Sequence, residues 1–325
     1  MTESLPAELP ACVLVAGSCI VDFCVKVPRL PRPGETVLAS GFTRSLGGKG
    51  ANQATALRRL GGEVAILTCL GEDDPGESFM RLFREEGIRA DLVWRDRSAP
   101  TGMAFPMVLP GGANAIVAAP SSSLLLPLAA VAAAGATIRR ARALLLQLEI
   151  PLPAAAAAMD LARRAGVPVF LNPAPAVEGS ARLLGGADVL IPNQIEAEAL
   201  SGLSISTAED ALRAAARLRA MGPETVVVTL GEEGAVVSAP GIERLIPAYP
   251  VAAVDTTGAG DAFCAGLVDA FCRGAGWPDA VDFACACGAL ACRGEGAIPW
   301  LPTRAQAAEL ARSRAGGASG PAAAP

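Results

Sequence analysis

Two short stretches bring together residue types that do chemistry. The first is VDTTGAGDAF, residues 254–263, which runs into the apolar stretch CAGLVDAFC, residues 264–272. Gly258, Ala259 and Gly260 are placed to present successive backbone N–H groups at a helix start, where donors are unpaired and the dipole is positive. Such a nest binds anionic oxygens and is most useful when their charge grows in a transition state. Asp261 follows in the first turn. It can take the proton of a hydroxyl that attacks phosphorus, a contribution of roughly 10² to 10⁴ in rate. The plainer reading is that Asp261 only complements the helix dipole. The G-A-G before it and the apolar helix after it favour catalysis.

The second stretch is LGGKGANQA, residues 46–54. Its glycines open a helix whose apolar residues Ala51, Ala54, Leu57 and Leu60 recur at helical spacing before Gly61–Gly62. Here too a helix N-terminus and close backbone approach suit a ligand. The G-x-x-x-x-G-K-[ST] spacing of a Walker loop is absent. Lys49 is one of two lysines beside 25 arginines. A compact ammonium and a planar guanidinium are not interchangeable at a close polar site, so Lys49 is a candidate ligand contact; the alternative is a solvated lysine on a tight turn.

The elements that must position these residues follow from the apolar runs. CVLVAG (12–17), VAILTCLG (64–71), ALLLQLE (143–149), VPVFLN (167–172), ADVLIPN (187–193) and TVVVTLG (225–231) read as buried strands alternating with amphipathic helices. That pattern predicts an α/β fold, a doubly wound, mostly parallel sheet with helices on both faces. The first hundred or so residues differ. IVDFCVKV (20–27), ETVLASGF (35–42), TGMAFPMVL (101–109) and NAIVAA (114–119) read as strands with few helices between them, a small β-sheet lid built from about 18–45 and 95–120. We expect one domain over 1–314 and a disordered tail at 315–325. Ligands of open parallel sheets lie beyond the carboxyl ends of the strands. The polar residues there are Asp22, Glu149, Asn193, Glu196 and the TLGEEG stretch, Thr229 to Gly234.

Composition narrows the chemistry. There is no histidine, which removes Ser–His and Cys–His nucleophiles and histidine-bound metals, so proton transfer falls to carboxylates or lysine. Nine cysteines without a C-x-x-C pair read as reduced thiols of a cytoplasmic protein. A net charge of −5 argues against nucleic acid. The opening MTESLPAELP is unlike a secretory leader, and the apolar run from Leu124 to Ile138 is short for a membrane span and contains Pro127, so it reads as core. VAGSCIVD lacks the G-x-G-x-x-G of a dinucleotide site.

Taken in order, GGKGANQA, LQLE.P, LNPAPA, PN..EAE.L.G, VTLG..G and VDT..AGD.F resemble the ribokinase-like (PfkB-type) carbohydrate kinase family, from about residue 12 to 302. The resemblance implies that Asp261 deprotonates the sugar's primary hydroxyl while Gly258, Ala259 and Gly260 hold the γ-phosphoryl. It implies sugar contacts from Asp22, Gly48, Lys49, Gly50, Asn52, Glu149 and Asp261. Asn193 and Glu196 would order Mg²⁺ and phosphate. Asn193, Gly260 and the run Thr229, Leu230, Gly231, Glu232, Glu233, Gly234 would line the ATP site, with Cys285 against the adenine. A monovalent cation, K⁺, would be held by Asp255, Thr257, Ala291, Gly294 and Gly296. A homodimer through the lid is implied as well, with a sugar and ATP as the small-molecule partners and neither nucleic acid nor membrane. The implied activity is ATP-dependent phosphorylation of the terminal hydroxyl of a pentose, D-ribose foremost. The alternatives are 2-deoxyribose, another sugar or a nucleoside as acceptor, or a sugar-sensing module without catalysis. The chain departs from the family pattern at three places: Ile20 for a common sugar-touching asparagine, Trp300 for a serine of the cation site, and AAPSSSLL at 118–125.

Overall fold

The computed structural model describes residues 11–110 and 114–317. Its strands are β1 (Val13–Ala16), β2 (Ile20–Lys26), β3 (Gly41–Gly47), β4 (Val64–Gly71), β5 (Val93–Asp96), β6 (Gly102–Val108), β7 (Asn114–Ala119), β8 (Ala143–Gln147), β9 (Val169–Asn172), β10 (Val189–Leu190), β11 (Thr225–Thr229), β12 (Ala235–Ala239) and β13 (Ile242–Ile246). The helices are α1 (Lys49–Arg59), α2 (Asp74–Glu86), α3 (Leu128–Ala133), α4 (Gly135–Arg140), α5 (Leu152–Arg164), α6 (Gln194–Ser201), α7 (Ala208–Arg219), α8 (Ala259–Cys272), α9 (Trp277–Ala291), α10 (Ala297–Trp300) and α11 (Arg304–Gly317).

Nine strands form one sheet in the order β13-β12-β11-β10-β9-β8-β1-β4-β5. The seven from β11 to β5 are parallel, while β12 and β13 complete the edge as an antiparallel hairpin. Because strand side chains alternate, each run of apolar residues feeds two cores. Val13, Val15 and Leu145 pack under α1, α8 and α9; Leu14, Ala16, Leu144 and Leu146 pack under α3, α5 and α7. Ala51, Ala54, Leu57 and Leu60 are buried on one side of α1, as their spacing requires. The doubly wound architecture expected from the alternation is therefore present.

A second sheet, β3-β2-β6-β7, stands apart from the first. Its β3 begins at Gly41 and not at 35: Lys26 pairs with Gly41 and the ladder runs on to Ile20 opposite Gly47. Leu38, which suggested a strand at 35–42, is 85% exposed and has no face to bury. The run from Leu124 to Ile138 is core only in part. Leu126, Val131, Ala134 and Ile138 are buried, while Leu124, Leu125 and Leu128 are exposed. Residues 315–317 complete α11 and are not irregular, and the rest of the expected tail, 318–325, lies outside the described residues. No helix among the described residues is long and apolar enough to cross a membrane.

Candidate active site

The strand order reverses between β1 and β8, since the chain leaves β1 toward β4 and leaves β8 toward β9. A crevice opens beyond the carboxyl ends of such a pair. Ser18, just past β1, bridges it by donating its hydroxyl to Glu149 Oε2, just past β8, and the Lys49 amide donates to the same oxygen at 3.3 Å. Buried Ser123 supports this turn, its Oγ accepting the Cys19 amide at 3.4 Å, while buried Ser122 Oγ donates to the Cys69 carbonyl of β4 at 3.1 Å. The serine run of the atypical AAPSSSLL segment thus has a structural task.

Asp261, on the first turn of α8, is buried in this crevice and gripped at both oxygens. Asn52 Nδ2 donates to Oδ2 at 2.8 Å and Gln53 Nε2 to Oδ1 at 2.9 Å, both from α1. A cavity of about 200 Å³ opens beside the carboxylate, lined by Lys49, Asn172, Asn193, Glu196, Thr229, Gly258 and Gly260 among others. Burial works against the Lys49 ammonium, but the carboxylates of Asp261, Glu149 and Glu196 outweigh it and keep the group above its ordinary value. Lys49 therefore stays charged in the cavity.

The amides at the two helix starts differ. At α8, Ala259 N–H closes the turn onto the Thr256 carbonyl at 3.1 Å, so the expected Gly258-Ala259-Gly260 hole loses its middle member. Gly258, Gly260 and Asp261 N–H make no hydrogen bond among the described residues. At α1 the expected open donors are largely consumed. Lys49 N–H is on Glu149, Ala51 N–H on the Ser18 carbonyl at 3.0 Å, and Asn52 N–H on the Gly48 carbonyl at 2.9 Å.

Asp22 sits on β2 of the small sheet, not at the tip of β1. Burial pushes its carboxyl up to about 6, with the charges of Glu149, Asp255 and Asp261 adding to the effect. Asn193 and Glu196 cap α6 reciprocally: Asn193 Oδ1 accepts the Glu196 amide at 2.8 Å, and Glu196 accepts the Asn193 amide at 2.9 Å and its Nδ2 at 3.0 Å. Burial raises the Glu196 carboxyl against the lowering effects of the Asn193 amide and Lys49. Each oxygen keeps a lone pair beside the cavity. No group of three or more His, Cys, Asp or Glu among the described residues is placed to hold a metal ion unaided. Magnesium brought with phosphates needs only one or two carboxylates, and Glu196 with Asn193 fits that role.

Thr229 lines the cavity, its amide on the Pro192 carbonyl at 3.0 Å. Leu230 to Gly234 form the tight turn between β11 and β12, with Glu232 and Glu233 exposed. Cys285 is buried on α9, and burial with nearby Asp282 pushes its thiol up to about 12. Asp255 holds a loop together: Oδ1 accepts the Thr257 amide at 2.9 Å and hydroxyl at 2.6 Å, and Oδ2 accepts the Gly296 amide at 2.9 Å. Burial opposes its ionisation, but these donors keep the carboxyl below its ordinary value. Ala291 ends α9 and is buried, and a Cβ on Gly294 would overlap the indole of Trp300.

Gln53, Gln147 and Asn172 were not singled out from the sequence as site residues. All three stand inside stretches that were, GGKGANQA, LQLE and LNPAPA, but neutral amides carry no signal of reactivity until their partners are seen.

The pfkB family carbohydrate kinase model matches residues 11–304. Ribokinase of Haemophilus influenzae is 38% identical over 296 residues, 91% of this chain and 97% of that protein. Deoxyribokinase of Salmonella typhi is 33% identical over 253 residues, 77% of this chain and 82% of that protein. The structure of Arabidopsis thaliana ribokinase complexed with ribose and ATP superposes with a TM-score of 0.83 at 32% identity, covering 93% of this chain and 99% of that one. With its fold, its buried aspartate at a glycine-rich helix start and these similarities, the chain belongs to the pfkB family of carbohydrate kinases and is an ATP-dependent sugar kinase.

Proposed function

We propose that the chain transfers the γ-phosphoryl of ATP to the terminal hydroxyl of a pentose, D-ribose giving ribose 5-phosphate. The observation that carries this reading is the Asp261 carboxylate, fixed by Asn52 and Gln53 and bordering a cavity shared with Lys49 and the free amides of Gly258 and Gly260. Asp261 takes the proton of the attacking hydroxyl as the sugar oxygen bonds to phosphorus and the bridging oxygen leaves with ADP. The Gly258 and Gly260 amides and the Lys49 ammonium stabilise the charge on the phosphoryl oxygens. Asn193 and Glu196 would hold Mg²⁺, which when bound neutralises phosphate charge. Thr229 to Gly234 and Cys285 flank the nucleotide in this reading.

The sugar's remaining hydroxyls fall to Asp22, Asn52 and Glu149 and to the backbone of Gly48 and Gly50. Asn52 Oδ1 is buried without a hydrogen-bond partner among the described residues, which suits an acceptor for a sugar hydroxyl. The test is Asp261→Asn. It should keep sugar affinity and lose turnover by at least about 10²-fold; turnover within tenfold of wild type would remove Asp261 as the base.

One observation favours a second acceptor. Ile20, 5% exposed and on the same face of β2 as Asp22, is apolar where the family resemblance leads one to expect a sugar-touching asparagine. An acceptor lacking one hydroxyl, 2-deoxyribose, suits such a pocket. Comparing kcat/KM for ribose and 2-deoxyribose decides between them, because a site built to bond a hydroxyl rejects the analogue without it strongly.

K⁺ at Asp255, Thr257, Ala291, Gly294 and Gly296 belongs to the same reading, with Trp300 offering a donor where an acceptor oxygen is expected. Titrating KCl into potassium-free assays tests it. A homodimer through the small sheet is supported by that sheet's outer face. There Phe23 stacks on Phe42 and Phe105 at 6.2 and 5.7 Å, and Phe42 is 63% and Val117 59% exposed. Phe42→Asp should convert a dimer to monomer in sedimentation.

A further inference from the structure

Asn52 and Gln53 both hold Asp261, but only Asn52 has a polar atom left over. Gln53 is fully buried and its amide is spoken for at both ends. Its Nε2 donates to Asp261 Oδ1 at 2.9 Å and to Asn172 Oδ1 at 3.4 Å, and its Oε1 accepts from Gln147 Nε2. Asn172 in turn donates its own Nδ2 to the Ile191 carbonyl at 2.8 Å, so its oxygen is the end it shows to Gln53. Gln147 is likewise fully buried, on the last residue of β8, and a Cβ on Gly17 would overlap its Oε1. The donors therefore run one way, from Gln147 through Gln53 to Asp261.

That direction matters because a glutamine amide is ambivalent. Rotated by half a turn, Gln53 would set its own oxygen against the Asp261 carboxylate, acceptor facing acceptor. Asn172 excludes that state, since its oxygen, fixed by the Nδ2 bond to the Ile191 carbonyl, faces the Gln53 N–H, while Gln147 holds the Gln53 oxygen from the other side. We infer that Gln53, oriented by Gln147, is a positioning pair for the phosphotransfer base: it fixes the rotation of the Asp261 carboxylate at the cavity wall without touching either substrate. The inference rests on Asp261 being the base. It adds that the sheet end at β8, through two neutral amides, sets the geometry of proton transfer.

The test uses Gln53→Leu, Gln147→Met and the double variant in the full-length protein, with kcat, both KM values and thermal unfolding measured for each. A hydrogen bond to a charged group carries about tenfold to a hundredfold and a neutral one about twofold to tenfold, so Gln53→Leu should lose kcat by the first amount and Gln147→Met by the second, with the KM values for sugar and ATP within about twofold of wild type. Residues acting in series are not additive, so the double variant should be no slower than Gln53→Leu. Wild-type kcat in either variant, or losses that multiply in the double, would overturn the inference. So would a kcat loss matched by rising KM and falling stability, the signature of simple packing damage. If Gln53→Leu does not fold, Gln147→Met decides alone, because Gln147 has no bond to Asp261. Inactive Asp261→Asn beside fully active glutamine variants defeats only this inference; an active Asp261→Asn defeats the base assignment itself.

Discussion

The helices carrying Lys49 and Asp261 both start on a glycine with positive φ, Gly48 at 86° and Gly258 at 81°. Beyond that they diverge. At α1 the second glycine is pressed on by protein: a Cβ on Gly50 would come 2.5 Å from the Gly17 carbonyl carbon and 2.7 Å from Ser18 N. At α8 a Cβ on Gly260 would meet nothing within 4 Å. The amides differ at one equivalent position: Ala51 N–H is bonded to the Ser18 carbonyl at α1, while Asp261 N–H, beside the open Gly258 and Gly260, makes no hydrogen bond among the described residues at α8. One glycine-rich start brings chain against chain at Gly50, and α1 lines the crevice with the side chains of Lys49, Asn52 and Gln53. The other leaves the backbone around Gly260 uncovered. Similar-looking motifs thus border the same crevice, one by packing and one by exposure.

The contrast can be broken in several ways. If α1 acts through the Lys49 side chain, Lys49→Met should lower kcat by about 10²-fold while titration calorimetry finds sugar affinity little changed. A KM effect on sugar alone would return Lys49 to the hydroxyl side of the pocket. Gly50→Ala should cost about 1–3 kcal/mol of stability through overpacking, read by urea unfolding; a neutral result would mean the approach of α1 to β1 is slack. Gly260→Ala should have the opposite sign, stabilising by about 0.5–1 kcal/mol because alanine is the better helix residue, while its methyl group, facing the cavity, lowers turnover about tenfold, the order expected when one such electrostatic contact is weakened. Destabilisation by that variant would end the comparison.

The smallest effect concerns Asp22. Burial pushes its folded carboxyl from the ordinary 3.8 up to about 6, so the folded protein binds the extra proton and stability falls as pH rises through that window. Asp22→Asn removes the burden of the buried charge. The variant should melt higher than wild type above pH 6, with the difference shrinking to nothing near pH 4. A difference constant with pH would place the carboxylate in solvent.

Much of this was legible in the linear order of residues. Alternation of apolar strands and amphipathic helices fixes a parallel sheet clothed on both sides, because no other layering buries both faces of such strands. Glycines with an aspartate ahead of an apolar helix mark a helix start with bare amides, the place where an anion site is to be looked for. Local chemistry of that kind is carried by neighbours in the chain. What the chain alone left undecided involves residues far apart in it. The β3 ladder begins at Gly41 because Ile20 must end opposite Gly47, a register set by β2 and not by β-propensity. Which amides remain open at α8, that Ala259 closes on Thr256, and that Gln53 turns its N–H to Asp261 are matters of direction, and a side-chain amide or backbone N–H acquires direction only when its partners are packed around it.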